Sequence, residues 1–380
     1  MKRIKKFTAI LLVLLIFLTG CQMADTSWVF ELEGERLPAG AYIMFLEQAI
    51  TTATDMHWNA WFEWEPSEDD PDEERPPAMF EMSRSEIFDS NLEGMRFYDW
   101  VISEAQTLSR RYFAAQSMLA DLDIELDRGQ VAEANAFARN IYQANSDVFR
   151  EIGVAESSLA LVQRYTVVLT TLFLELYGQG GDFEVPESEI RAYFSDNFLR
   201  GQELTIWKSW WFDAEDYDTE EEYAEARRIA EEENAVLREL AEEFLERMRA
   251  GEAIEDLQFD LDLAFAGDPN TVFRAPPGAL DFLVRNNDPE TSAVVLTGLM
   301  ATPVGQSNIF EDDNTIRIIR RLDPFENPHD IDVFRSDILL SMRFLDDFLP
   351  MLDELANELP IIVNEAAIRR YRPDLLMVED

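Results

Sequence analysis

Leu204-Thr205-Ile206-Trp207-Lys208-Ser209-Trp210-Trp211-Phe212 is the stretch on which the fold turns. Its β-branched and aromatic residues favour a pleated backbone over a helix, so it predicts a strand. A strand needs hydrogen-bonding neighbours, and candidates lie a hundred residues downstream. Asn308 to Phe310 and Thr315 to Arg321 predict two strands meeting at the turn Glu311-Asp312-Asp313-Asn314. Between them, Glu220 to Arg249 predicts a long acidic helix ending at Gly251, with short helices at Asp281–Val284 and Ser292–Leu296. Residues 202–323 are therefore expected to form an α+β unit around one small antiparallel or mixed sheet, strand first and strands last.

The flanks are mostly helical. Trp28 to Arg36 predicts a short strand and a turn at Gly34, and Pro38 sits at the mouth of a helix carrying Tyr42, Phe45, Leu46, Ala49 and Ile50 at helical spacing. Residues 65–77 hold seven acidic residues and four prolines with no apolar period, which predicts a solvated loop. Its carboxylates lack the alternating Asp spacing of a calcium loop, and no metal is expected there. Ser83 to Tyr177 predicts helix almost throughout. One stripe joins Leu92, Met95, Tyr98, Ile102 and Ala105, and a strongly apolar helix from Leu159 to Leu176 stops at Gly178-Gln179-Gly180-Gly181. Pro186 to Phe198 predicts a short helix with acidic residues in its first turn. Asp332 to Leu359 predicts a long helix interrupted at Pro350, followed by a short strand at Pro360–Asn364 and a last helix to Tyr371. The expected domains are 28–199, 202–323 and a C-terminal segment 328–380.

The N-terminus carries a different signal. Lys2, Arg3, Lys5 and Lys6 precede an apolar run from Phe7 to Leu18, closed by Leu18-Thr19-Gly20-Cys21. A dozen apolar residues are too few to cross a bilayer core, which needs about 20, but they match the core of an export signal. The last four residues resemble the lipobox of bacterial lipoproteins. That resemblance implies removal of residues 1–20, lipidation of Cys21, a tether over 21–27, and an extracytoplasmic location on the outer face of the cell membrane. Cys21 is the only cysteine in the chain, so no internal disulfide is possible.

Asp and Glu total 76 against 32 Lys and Arg, for a net charge of −44. Such a field repels nucleic acid and anionic surfaces, so no nucleic-acid partner is expected. With one cysteine and two histidines, thiol chemistry and a Cys/His zinc site fail on residue supply, and no cofactor is expected. His57 and His329 are read as polar surface or capping residues. Trp28, Trp58, Trp61, Phe62, Trp64, Phe80 and Met82 cluster in sequence around the acidic stretch. They are read as core first, and as an adaptable surface for unfolded chains second.

The order of parts resembles the PrsA/SurA type of exported foldases. These join a helical chaperone domain, a parvulin-type prolyl isomerase domain and a C-terminal helix that returns to the first domain. Four stretches carry the likeness. They are Leu32 to Pro38, Val185 to Phe194, Pro303 to Phe310 with Ile316 to Leu322, and Val363 to Pro373. In the third, Gly305-Gln306-Ser307 is one residue shorter than the Gly-x-x-Ser turn of parvulins. The resemblance implies an α+β fold with a SurA-like helical domain, and a partner class of unfolded or nascent exported polypeptides.

The same resemblance locates a site. Active parvulins place one histidine in the first strand and another in the last; here Ser209 and Arg317 fall at or near those positions. An apolar pocket for a proline ring is expected from Trp210, Phe282 and Ile318. With both histidines replaced, isomerase activity is expected to be weak or absent. Two other readings stay open: a working isomerase with an altered site, and a surface scaffold with one dedicated partner. Oligomeric state is not legible.

Overall fold

The computed structural model describes residues 27–64, 75–210 and 217–376. Residues 1–20, Cys21, most of the acidic stretch, Trp211 and Phe212 lie outside them. The protein is α+β and divides into two compact units. One runs to Glu184 and resumes at Leu339; the other spans Val185–Ile338.

The first unit opens with a hairpin of Trp28–Leu32 (β1) and Glu35–Pro38 (β2). Its turn residues Glu33 and Gly34 both have positive φ, the geometry of a tight two-residue hairpin turn. Pro38, with φ preset and no N–H to lose, then caps the helix Ala39–Phe62 (α1). The apolar spacing read in the sequence buries Tyr42, Phe45, Leu46 and Ala49, but the last buried residue is Ala53. The final turns of α1 therefore extend past the core.

The expectation of nearly continuous helix from Ser83 to Tyr177 is corrected at its start. After Arg84–Asp89 (α2), capped by Ser83, the chain forms a second hairpin, Asn91–Leu92 (β3) with Met95–Arg96 (β4). Glu93 and Gly94 take positive φ, and Asn91 Oδ1 accepts a 2.7 Å hydrogen bond from the Gly94 N–H. Leu92 and Met95 thus sit on either side of a turn rather than on one helical stripe. The Asn-x-x-Gly turn outweighs the coincidental i, i+3 apolar spacing. Helices Phe97–Asp121 (α3), Arg128–Ala144 (α4), Ser146–Ile152 (α5) and Glu156–Tyr177 (α6) follow. The third and sixth helices pack on α1, and α4 packs on α6.

The second unit begins with Glu187–Asn197 (α7), then enters a ten-residue strand, Phe198–Trp207 (β5). This strand starts six residues before the expected Leu204 and ends before Ser209. Glu220–Arg249 (α8) and Ile254–Ala266 (α9) lead to Phe282–Arg285 (β6), where a short helix was expected. Four residues are too few to show a period, and pairing decides their state: Phe198 to Gly201 of β5 take Arg285 to Phe282 as antiparallel partners. Ala293–Ala301 (α10), Ser307–Glu311 (β7) and Thr315–Leu322 (β8) complete the unit's main body. The sheet order is β6-β5-β8-β7, antiparallel throughout.

Alternation in the two central strands gives this sheet two faces. Leu204, Ile206, Ile316 and Ile318 point to one, and pack on Phe244, Leu245 and Met248 of α8 and on Leu257 and Leu261 of α9. Leu257 is fully buried there, and truncating such a leucine to alanine costs about 2–5 kcal/mol. Leu199 and Ile319 point to the other face and meet Val295 and Leu299 of α10. Close approach of that helix depends on Gly298, where a Cβ would stand 2.5 Å from Ile319 Cδ1. A short helix at Asp330–Val333 (α11) ties back to the sheet through an ion pair between Asp330 and the buried Arg200.

The chain then returns to the first unit. Past Arg335–Leu339 (α12), residues Leu340–Phe348 form a π-helical stretch that runs directly into Leu349–Glu358 (α13). Pro350 has no N–H for the helix ladder, and the expected interruption appears as this widened segment just before it. Phe344 and Phe348 from the stretch pack edge-on against Phe173 of α6, with ring centroids 5.5 Å apart. Helix α13 packs on α3. Finally Ile362–Val363 (β9) pairs antiparallel with β1, and Glu365–Ile368 (α14) follows, capped by Asn364.

Candidate functional site

Two places bear on the expected function: the second face of the four-stranded sheet, and the end of α1.

On the sheet, Thr205 of β5 stands directly opposite Arg317 of β8. Both point to the α10 side, because Leu204, Ile206, Ile316 and Ile318 take the other. Arg317 forms an ion pair with Glu203, and both side chains are largely buried. The guanidinium also donates from Nε to Thr315 Oγ1 at 3.0 Å, while Thr205 Oγ1 donates to Glu203 Oε1 at 2.6 Å. Thr315 Oγ1 in turn donates to Asp312 Oδ1 at 3.0 Å. Burial pushes the Asp312 carboxyl up, but hydrogen bonds from the Asn314 and Thr315 backbone N–H groups and the Thr315 hydroxyl outweigh it, and its pKa lies below the ordinary value. Phe310 lies beside Arg317 in β7, and Trp207 beside Thr315, with the Trp207 ring exposed. A guanidinium stays protonated at any physiological pH, so this network can donate hydrogen bonds and hold charge but cannot shuttle a proton.

Ser209 is placed two residues beyond the end of β5. Its backbone N–H donates to Asn234 Oδ1 at 2.7 Å and its carbonyl accepts from Asn234 Nδ2 at 2.8 Å. Asn234 is a buried residue of α8, on the opposite side of the sheet from Arg317, so the residue across from Arg317 is Thr205 rather than Ser209. Ile318 is fully buried against α8 and α9, whereas Phe282 packs with Leu199 and Leu299 on the α10 side. Trp210 is exposed beyond the strand. These three side chains do not share a pocket. Sequence reading missed Glu203 because it began the strand at Leu204, and missed Thr205 because it paired Arg317 with Ser209 instead; the register places Thr205 there. The available signal was opposite charge at alternate positions of two strands whose other face is aliphatic.

At the end of α1, Trp58 stacks between Phe62 and Phe80, with centroid distances of 5.8 and 5.9 Å. Trp61 meets Trp58 and Phe62 edge-on, and Arg75 lies 4.5 Å over the Trp61 ring. Phe62 is 68% exposed and Phe80 76%. This cluster is surface, not core. Trp28 is separate from it and packs under Arg36 on the first hairpin. His57 is half-buried on α1, with its pKa lowered by burial, and His329 stands just before α11 without a side-chain capping hydrogen bond. Among the described residues, no group of three or more His, Cys, Asp or Glu side chains is placed to hold a metal ion.

The class these features define is a two-unit α+β protein: a helical body closed by the returning C-terminal helix, and a small domain with an ion-paired sheet face. No protein-family model matches the sequence, and no curated relative matches it. Among solved structures, the chain aligns with the foldase protein PrsA of Streptococcus pneumoniae at 14% identity and a TM-score of 0.36, covering 74% of this chain and 97% of that one. PrsA of Lactococcus lactis aligns at 8% identity and 0.35, covering 91% and 99%. PrsA of Bacillus subtilis aligns at 11% and 0.28, covering 69% and 84%. Likeness at this level leaves function to be read from the two sites.

Proposed function

We propose that this protein is an extracytoplasmic foldase or holdase, anchored by lipid on Cys21, that binds unfolded or newly exported polypeptides. The observation that carries the reading is the stacked, solvent-facing aromatic cluster at the end of α1. Water-exposed aromatic stacks on a chain of net charge −44 are costly to leave open, and they offer large contact area at low side-chain entropy cost. In this reading the four-stranded unit is a parvulin-like domain whose isomerase site is degenerate. Arg317 is committed to Glu203 and Thr315, and no histidine lies on the sheet.

The test is aggregation of a chemically unfolded client, followed by light scattering in the presence of the full chain. Suppression at equimolar protein is expected, together with clear loss of suppression in a Trp58→Ala, Phe62→Ala, Phe80→Ala variant that melts at the parental temperature. No suppression at stoichiometric excess would remove the assignment.

A further inference from the structure

A cavity of about 510 Å³ in the helical unit is lined by three arginines: Arg84 of α2, Arg96 of β4, and Arg372 from the segment just before the closing Pro373–Leu375 turn. Two carboxylates, Asp89 and Asp374, line the same space, and in a chain with more than two acidic residues for each basic one the arginine left without either is the informative one. Arg96 makes a bidentate contact with Asp99, at 2.8 and 3.0 Å, and a looser one with Asp89 at 3.6 Å. Arg372 pairs with Asp374 Oδ2 at 3.0 Å. Among the described residues no carboxylate pairs with Arg84, and its buried Nε meets no acceptor. A buried charged donor without an acceptor is costly, and an anion in the cavity would offset that cost.

The lining also describes the rest of the ligand. Phe88 supplies an apolar wall. Tyr98 lines the cavity, and its phenol is a hydrogen-bond donor at neutral pH. Asp374 Oδ1 is buried, and among the described residues no donor faces it, which suits a ligand hydroxyl rather than a second anion. A carboxylate is planar and is satisfied by one guanidinium fork, whereas a tetrahedral oxyanion takes donors from several directions, which a lining drawn from three elements offers. The volume is in the range of small-molecule sites and well beyond a bare ion.

We propose that this cavity is a binding site for the phosphate ester of a polyol, anchored by Arg84, with Asp374 accepting from a ligand hydroxyl. The site is independent of the foldase reading and stands or falls separately. That chemistry occurs in soluble glycerol phosphates and in the headgroup of phosphatidylglycerol. Calorimetric titration of the full chain in a non-ionic detergent would use sn-glycerol 3-phosphate, inorganic phosphate, glycerol, and the short-chain soluble lipids dihexanoyl phosphatidylglycerol and dihexanoyl phosphatidylcholine. Binding of at least one glycerol phosphate species is expected, at least tenfold tighter than inorganic phosphate, with none for glycerol. Tighter binding of the phosphatidylglycerol than of sn-glycerol 3-phosphate assigns the site to a lipid headgroup; the reverse assigns it to a soluble ester. Arg84→Gln is expected to weaken binding at least tenfold, and Arg84→Lys, which keeps the charge, to weaken it less. Equal affinity in wild type and Arg84→Gln, no binding by either glycerol phosphate species, or equal binding of phosphatidylcholine would overturn the proposal.

Discussion

Arg111 and Asp353, 242 residues apart, meet in two parallel hydrogen bonds: Nε to Oδ1 at 2.9 Å and Nη2 to Oδ2 at 2.7 Å. The arginine is on α3 and its side chain is 10% exposed; the aspartate is on α13 and is 35% exposed. A fork-to-fork pair of this kind fixes both distance and orientation, so it sets where the returning helix lies on the helical body.

Removing the carboxylate leaves a buried guanidinium uncompensated. Asp353→Ala is expected to destabilise the helical unit by about 3 kcal/mol, the lower end for a broken buried pair because the aspartate is partly solvated. Replacing both members, Arg111→Met with Asp353→Leu, should recover most of that loss. Urea unfolding of the single and double variants measures it; a single-variant loss below about 1 kcal/mol would show that the pair is solvent-screened.

The sheet site is expected to contribute little to prolyl isomerisation. Uncatalysed X–Pro exchange takes tens to hundreds of seconds, and the Arg317 guanidinium, engaged by Glu203 and Thr315, is not free to support a twisted prolyl amide. In a protease-coupled assay on a short Ala-Pro peptide, the full chain should leave the slow phase within a few-fold of its spontaneous rate. A hundredfold acceleration would show that the Arg317 network, or another surface, is a working site.

Glu311 sits between two cations. It accepts from Arg238 Nη2 at 2.6 Å and pairs with Lys208 Nζ at 2.9 Å. The Arg238 hydrogen bond is the largest influence, against burial and with help from Lys208, and it holds the carboxyl at about 2 instead of 4.5. The folded state therefore binds its proton less readily than the unfolded state. The resulting stability is present in full above pH 4.5 and is lost as pH falls toward 2. The stability gap between wild type and Glu311→Gln should be widest near pH 6 and close by about pH 2, read from denaturant midpoints at each pH. A gap that does not narrow on acidification would contradict this.

Asn234 holds the strand end by both of its amide atoms. Asn234→Leu removes the acceptor for the Ser209 N–H and the donor to its carbonyl, at a cost of about 2 kcal/mol for two lost partners in a part-buried site. Amide exchange at Ser209 should accelerate while the paired amides of β5 stay protected. Uniform acceleration across β5 would mean that the clamp supports the whole sheet.

Much of this architecture is legible in the residues themselves. Thr315 to Ile318 alternates polar and aliphatic residues within a β-branched run, and β8 spans Thr315–Leu322. The acidic helix from Glu220 ends at Arg249 as read, because Gly251 takes positive φ just past it, and its basic last turn complements the helix dipole. The aromatic cluster was visible, but its exposure was not, since composition alone does not say where the core of α1 ends. The sheet site was legible only in part. Arg317 was found, whereas Glu203 was missed because Phe198 to Glu203 shows no clean alternation and becomes strand by pairing on both sides; Thr205 lay inside the expected strand, but only the register sets it against Arg317.

Local chemistry therefore determined the class of protein: the acidic balance, the long helices with their stops, and a sheet whose central strands are aliphatic on one face. These depend on neighbours within a few residues, where spacing, capping and turn geometry act. What only the tertiary structure decided depends on partners far apart in the chain. Phe282–Arg285 is strand because β5 is beside it, Thr205 faces Arg317 because of register, and Arg111 finds Asp353 because the last helix comes back. A hydrogen-bonding group or a buried charge accepts any complementary partner, and its own sequence neighbourhood does not say which one the folded chain will bring.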